Sequence, residues 1–124
     1  MSELQYFEIV GDHAEYRPTG HVSQSQMVQL VTSALVFARE QHIGKLLVVT
    51  SGLTGFRPPL IADRYFFVRE WAKASGHIVR AALVARPEMI DCQKFGVTVA
   101  ANNGFIADIF ASEDEALAWL QSAK

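Results

Sequence analysis

The chain has 124 residues, of which 50% are hydrophobic and 19% are charged, and its formal net charge is −2. This length and composition predict one globular domain spanning residues 1–124 and exclude a disordered or collagen-like chain. The negative charge argues against a nucleic-acid partner, and the single cysteine excludes an internal disulfide and a multi-thiolate metal site.

The longest uncharged run, Pro18–Ala38, is long enough to cross a bilayer but contains polar residues throughout. His21, Gln24, Gln26 and Gln29 would make its insertion costly, so we predict no membrane span. The N-terminal residues show no positively charged start typical of a signal peptide. The sequence therefore favours a cytoplasmic location.

The first part of the chain predicts a β-hairpin followed by a long helix. Two short segments of strand character, Leu4–Val10 and Ala14–Thr19, flank a Gly-Asp-His turn. Ser23 and Gln26 have the spacing of a capping box, and apolar residues then recur with helical periodicity. We expect Gly44 to end this helix.

The central part of the chain predicts two buried parallel strands joined by a helix. Lys45–Thr50 is a nearly continuous apolar run typical of a strand buried on both faces. A loop over residues 51–59 leads to a helix over Leu60–Ser75, which Gly76 ends. A second buried strand is expected over Ile78–Ala85.

The last part of the chain adds a helix, a strand and a further helix. Asp91–Asn102 has a good N-cap residue and a following Asn-Gly stop, which favour a helix, although its β-branched residues also suit a strand. Phe105–Phe110 reads as a strand, and Ser112 with Glu115 forms a second capping box. The predicted fold class is α/β, with a mixed five-stranded sheet covered by helices in the order β-β-α-β-α-β-α-β-α.

This order resembles the STAS domain of SpoIIAA-type anti-sigma-factor antagonists, and most closely the SpoIIAA-like (STAS/SEC14-like) bacterial family. The resemblance is carried by four segments, Arg17–Val22, Ser51–Phe56, Ala82–Glu88 and Lys94–Ala100. It implies the STAS fold, and it implies that Asp91–Asn102 is a helix.

The chain departs from the SpoIIAA pattern where antagonists of that type are phosphorylated. The resemblance implies an Asp-Ser pair at the start of the helix after the third strand, and residues 55–60 read Gly-Phe-Arg-Pro-Pro-Leu instead. Ser51 and Thr54, earlier in the same loop, are therefore the candidate phosphorylation sites.

The loop after the first buried parallel strand is a candidate anion or partner site. Ligands of open α/β sheets bind at the carboxyl ends of the parallel strands. Small residues there leave backbone amides accessible, and two arginines add positive charge; the set is Ser51, Gly52, Thr54, Gly55, Arg57 and Arg86. The alternative is a tight strand-to-helix connection, since two consecutive prolines remove amide donors and no Walker lysine is present.

The predicted helix over Leu60–Ser75 has more apolar residues than one packed face requires. Tyr65, Phe66, Phe67 and Trp71 are its aromatic members. The excess predicts a partner surface, a homodimer interface or an apolar ligand pocket, and the alternative is a broad core helix. The SEC14-like resemblance favours the pocket, because that family binds lipids between sheet and helices.

Charged and nucleophilic residues show no catalytic pattern. Asp63, Arg64, Arg69 and Glu70 are interpreted as a solvated helix face with local ion pairs. Cys92 is expected at a helix start, and no histidine pair has metal-ligand spacing. We therefore expect no enzyme activity, cofactor or metal. The sequence favours a regulatory or interaction module acting on a protein partner; a carrier or sensor of a small apolar, lipid-like ligand is the alternative.

Overall fold

The computed structural model describes residues 5–90 and 94–122. The strands are β1 (Phe7–Val10), β2 (His13–Tyr16), β3 (Gly20–His21), β4 (Lys45–Val49), β5 (Leu53–Thr54), β6 (Arg80–Val84) and β7 (Ala107–Phe110). The helices are α1 (Gln24–Glu40), α2 (Ile61–Ser75), α3 (Phe95–Asn102) and α4 (Glu113–Ser122), and a 3-10 turn covers Pro87–Met89.

The main sheet has five strands in the order β1-β2-β4-β6-β7. β1 and β2 form the antiparallel hairpin, and β2, β4, β6 and β7 pair in parallel. The predicted mixed five-stranded α/β sheet is confirmed. Because each crossover between parallel strands carries a helix, the carboxyl ends of β4, β6 and β7 lie at one edge of the sheet.

The sheet is covered on both faces, as its apolar strands require. Alternate residues of β4 point to opposite sides: Leu46 and Val48 belong to the core beneath α1, α2 and α3, whereas Leu47 and Val49 pack against α4. None of the helices in the two described segments is both long and apolar enough to cross a membrane.

A second, two-stranded parallel sheet pairs β3 with β5 and was not expected from the sequence. The amide of Gly20 donates to the carbonyl of Gly52 at 3.2 Å, and that of Val22 donates to the carbonyl of Thr54 at 2.7 Å. The segment before α1 is thereby bonded to the loop after β4. Strands of two residues are too short to show the alternating pattern by which a strand is predicted.

Helix ends follow the predicted capping chemistry in most places. Ser23 and Gln26 form the capping box of α1, and Gly76 ends α2 at φ 63°. The predicted end of α1 at Gly44 was wrong. The helix ends at Glu40, and His42 adopts the positive φ of 60° that was expected of glycine. The predicted helix over Asp91–Asn102 is observed as α3 from Phe95, and its first residues lie outside the described part of the chain.

Candidate functional site

A cavity of about 100 Å³ lies between α2, α3 and the carboxyl ends of β4 and β6. Its wall is largely apolar. The sheet contributes Leu83 and Ile109 to this wall. The helices contribute Gly96, Val97 and Ala100 of α3 and Phe67, Val68 and Trp71 of α2. We call this space the α2–α3 cavity. It lies at the edge where ligands of open α/β sheets bind.

The aromatic residues of α2 divide into an inner pair and an outer pair. Phe67 and Trp71 are one turn apart and line the α2–α3 cavity, with ring centroids 4.7 Å apart. Trp71 is 4% exposed, and its indole N–H donates to the carbonyl of Val28 at 3.2 Å. This hydrogen bond fixes the ring in place, so Trp71 forms a rigid part of the cavity wall.

The outer pair faces solvent. Tyr65 is 40% exposed and Phe66 is 68% exposed, and their rings meet edge to face at 5.5 Å. Leu60 and Ile61, at the start of the same helix, are also exposed. We call these four residues the outer face of α2. A cluster of large exposed apolar side chains is uncommon on a monomer and marks a candidate contact surface.

Three cationic side chains are among the residues that line the cavity: Arg64 from α2, Arg86 after β6, and Lys94 before α3. We call them the rim. Lys94 forms an ion pair of 2.7 Å with Asp108. Arg86 approaches Glu88 only at 3.6 Å, beyond the usual length of an N–H···O hydrogen bond.

Arg64 was wrongly interpreted from the sequence as part of a solvated, ion-paired helix face. It is half-buried, its Nε donates to the carbonyl of Pro59 at 3.1 Å, and its Nη2 donates to the carbonyl of Met89 at 3.1 Å. The guanidinium therefore ties the loop before α2 to the 3-10 turn after β6. The ion pairs observed between described residues do not include Arg64.

In the loop expected to bind an anion, two glycines are required by close contacts with the segment around β3. Gly55 has φ +104°, and a Cβ there would lie 2.5 Å from the carbonyl oxygen of Val22. A Cβ on Gly52 would lie 3.2 Å from the carbonyl oxygen of Pro18. Both glycines thus permit close approach of the β3 segment. Binding of an anion by this loop stays a prediction.

The predicted loop residues lie at different distances from the cavity. Of that set, Arg86 lines the cavity wall, whereas Ser51, Gly52, Thr54, Gly55 and Arg57 do not. Ser51 and Thr54 are exposed, and Thr54 Oγ1 lies 3.4 Å from His21 Nδ1. Their phosphorylation stays a prediction. Cys92 lies outside the described residues.

A polar cluster outside the α2–α3 cavity links the end of β2 to the start of α4. His13, 7% exposed, contacts Glu15 through Nε2 at 2.9 Å, and Arg17 pairs with Glu15 at 2.6 Å and with Glu113 at 2.5 Å. The hydrogen bond from His13, followed by that from Arg17, lowers the pKa of Glu15. The cluster joins the first hairpin to the last helix.

Sequence reasoning missed several cavity residues from outside α2. Phe105, Met89 and Ala100 line the cavity but belong to separate elements that only the tertiary fold brings together. The sequence position of Arg64 did indicate that it faces the cavity. It lies three residues before Phe67 and seven before Trp71, on the same helical stripe, so it was positioned to face the cavity.

Comparisons with known proteins inform the fold. No protein-family model and no curated protein matches the chain. Among solved structures, the chain is similar to the NMR structure of the protein TM1081, with a TM-score of 0.51. The two share 14% sequence identity over 99% of this chain and 93% of that chain. Similarity at this identity shows a shared fold.

Proposed function

We propose that this domain is a non-enzymatic binding module that holds a small apolar, lipid-like ligand in the α2–α3 cavity. The observation that carries the proposal is the cavity itself, placed at the carboxyl edge of the parallel strands. Protein interiors are packed with few voids larger than a water molecule. A cavity of about 100 Å³ beside two large aromatic rings is therefore space that the fold keeps open.

The size and lining of the cavity favour a slender apolar ligand. An engineered apolar cavity of about 150 Å³ stays dry and takes up benzene. A cavity of about 100 Å³ suits a small apolar group or the end of an unbranched chain. Thr50 brings a hydroxyl to the cavity wall, but this hydroxyl already donates to the carbonyl of Val84 at 2.9 Å, so it offers no donor proton to a ligand.

The resemblance to the SpoIIAA-like (STAS/SEC14-like) family agrees with this proposal. The SEC14-like comparison implies lipid binding between a sheet and its covering helices, and the α2–α3 cavity lies between such elements. Membership of that family remains part of the proposal, supported by the short sequence segments and by the mixed sheet with its helical cover.

The test is the response of the two tryptophan indoles to 1-octanol, a neutral probe with an unbranched chain. Trp71 lines the cavity, whereas Trp119 packs against Phe110 on the α4 side of the sheet. In a proton–nitrogen correlation spectrum, we expect octanol to shift the Trp71 indole signal in a saturable manner and to leave the Trp119 signal in place.

Neighbouring alanines of α3 supply a matched pair of variants. Ala100 lines the cavity and Ala101 is exposed, so Ala100→Leu fills the cavity and Ala101→Leu adds the same atoms to the surface. We expect Ala100→Leu to abolish the octanol response and Ala101→Leu to preserve it. A response that survives Ala100→Leu in a folded variant contradicts the proposal.

A second candidate function, a regulatory interaction module, is favoured by the outer face of α2. Phe66 and Leu60 are 68% and 72% exposed, and a second copy or a protein partner would cover them. Phosphorylation at Ser51 or Thr54 would provide its switch. Intact-mass analysis after exposure to the host's kinases tests the switch, and a mass unchanged by one phosphoryl group rules it out.

A further inference from the structure

We infer that the ligand of the α2–α3 cavity is an amphipathic anion, with the end of an unbranched apolar chain inside the cavity and a terminal carboxylate or phosphate monoester at the rim. This inference rests on the proposed function, because it names the chemical class of the ligand for the same cavity. It is carried by the charge and the hydrogen bonding of the three rim residues.

Among the described residues, the rim carries more positive than negative charge, although the chain as a whole is negative. The cavity-lining residues include three cations, Arg64, Arg86 and Lys94, and one carboxylate, Asp108. The chain as a whole carries −2. Lys94 pairs with Asp108 at 2.7 Å and Arg86 pairs more loosely with Glu88 at 3.6 Å, so among the described residues Arg64 is the rim cation without a carboxylate partner.

Among the described residues, Arg64 bonds only to neutral backbone carbonyls. Two of its five N–H groups donate to the carbonyls of Pro59 and Met89. Those carbonyls are neutral, and the acid nearest to it in sequence, Asp63, is directed to the amide of Leu60 at 3.4 Å. A half-buried guanidinium without a carboxylate among its described partners is stabilised by an incoming oxyanion.

Arg86 also lines the cavity, and it directly precedes the turn to which Arg64 is bonded. It follows β6 directly, and its side chain is 34% exposed. Its Nε lies 3.6 Å from a carboxylate oxygen of Glu88, whose side chain is 60% exposed, which is longer than an N–H···O hydrogen bond. Because Arg64 bonds to the turn that directly follows Arg86, we take this part of the cavity as its oxyanion end and the aromatic wall of Phe67 and Trp71 as its apolar end.

The experiment compares four eight-carbon probes: octanoate, octyl phosphate, 1-octanol and octylammonium. Each is titrated while the Trp71 indole signal is followed, at low ionic strength. We expect both anions to bind about tenfold more tightly than octanol, because one charge-assisted hydrogen bond contributes about that difference in affinity. Octylammonium should bind most weakly of the four probes. The stronger of the two anions identifies the head group.

Variants locate the oxyanion end. Arg86→Gln and Arg64→Met should each reduce the preference for octanoate over octanol about tenfold, whatever their effect on the affinity for octanol itself. Arg69→Gln is the control, since Arg69 lies on α2 beside Tyr65 at the outer face. Because Arg64 also holds two backbone carbonyls, Arg86→Gln decides the question if Arg64→Met fails to fold.

The possible results separate the two proposals. Equal affinity for octanoate and octanol overturns the anionic ligand and leaves the apolar ligand standing. No response of Trp71 to any of the four probes overturns both. An anion preference that survives both arginine variants also overturns this inference, because the head group would then bind elsewhere.

Discussion

The indole N–H of Trp71 on α2 donates to the backbone carbonyl of Val28 on α1, with 3.2 Å between nitrogen and oxygen. The same ring lines the α2–α3 cavity. One hydrogen bond thus joins the two neighbouring helices and sets the position of the cavity wall. Because the ring is both buried and bonded, its loss affects stability and ligand binding together.

Trp71→Phe is predicted to lower the free energy of unfolding by about 1–3 kcal/mol, the sum of one lost hydrogen bond and a smaller buried ring. The carbonyl of Val28 keeps its bond from the Thr32 hydroxyl at 2.7 Å, so it is not left unpaired. Urea unfolding measures the change. The matched substitution Trp119→Phe, at a half-buried ring, should cost less; equal costs would contradict the role given to the indole bond.

Phe66 and Phe67 provide a test of the division of α2 into inner and outer sides. Phe67→Ala should destabilise the fold by about 1–3 kcal/mol, because Phe67 is half-buried and stacks on Trp71. Phe66→Ala should change stability by no more than about 0.5 kcal/mol, since its ring is exposed.

The same pair tests self-association at the outer face of α2. Native mass spectrometry of the unsubstituted chain establishes whether it is a dimer. If the outer face forms that dimer, Phe66→Ala converts it to a monomer and leaves the octanol response of Trp71 intact. A dimer that persists in the Phe66→Ala variant shows that the copies meet elsewhere.

Gly55→Ala is predicted to destabilise the domain by at least about 2 kcal/mol. The new Cβ meets the carbonyl of Val22 at 2.5 Å, and φ +104° is strained for alanine. Gly44→Ala is the control, since its Cβ meets its nearest neighbour at an ordinary 3.5 Å. Thermal unfolding compares the two. Equal stability of both variants would show that the contact between β3 and β5 is unimportant.

Glu15 is predicted to contribute to stability above its unfolded pKa, close to 4.5. Its pKa is lowered in the folded state by His13 and Arg17, so the folded state binds fewer protons than the unfolded state. The contribution is therefore present at neutral pH and is lost as pH falls below 4.5 through the lower folded pKa.

The measurement is urea unfolding between pH 7 and pH 3. Glu15→Gln should be less stable than the unsubstituted chain at pH 7, with the difference shrinking towards pH 3. Glu40→Gln, at an exposed position at the end of α1, serves as the control. A difference between Glu15→Gln and the unsubstituted chain that stays constant across this range would contradict the assignment.

The sheet and its helices were predictable because each element carries a local signal. Ser23 and Gln26 define a helix start by their spacing, and the apolar run of β4 indicates a strand buried on both faces. β3 and β5 have two residues each, too few for any periodicity. Their pairing depends on where Gly52 and Gly55 allow two backbone segments to meet.

The candidate site was predictable only in part. Helical periodicity indicated that α2 has an apolar excess, and the structure assigns Phe67 to the cavity and Phe66 to solvent. Arg64 was misread because charged residues in a helix usually face water. A long guanidinium side chain can instead lie along apolar surface while its head reaches backbone carbonyls, as Arg64 does here.

The most direct measurement is a crystal structure of the chain soaked with 8-bromo-octanoate, located by the anomalous scattering of bromine. The account predicts a bromine peak in contact with Phe67 and Trp71, and carboxylate density at Arg64 and Arg86. A bromine peak at the outer face of α2 instead, beside Phe66, or none within the α2–α3 cavity, would contradict the claim that this cavity binds an apolar ligand.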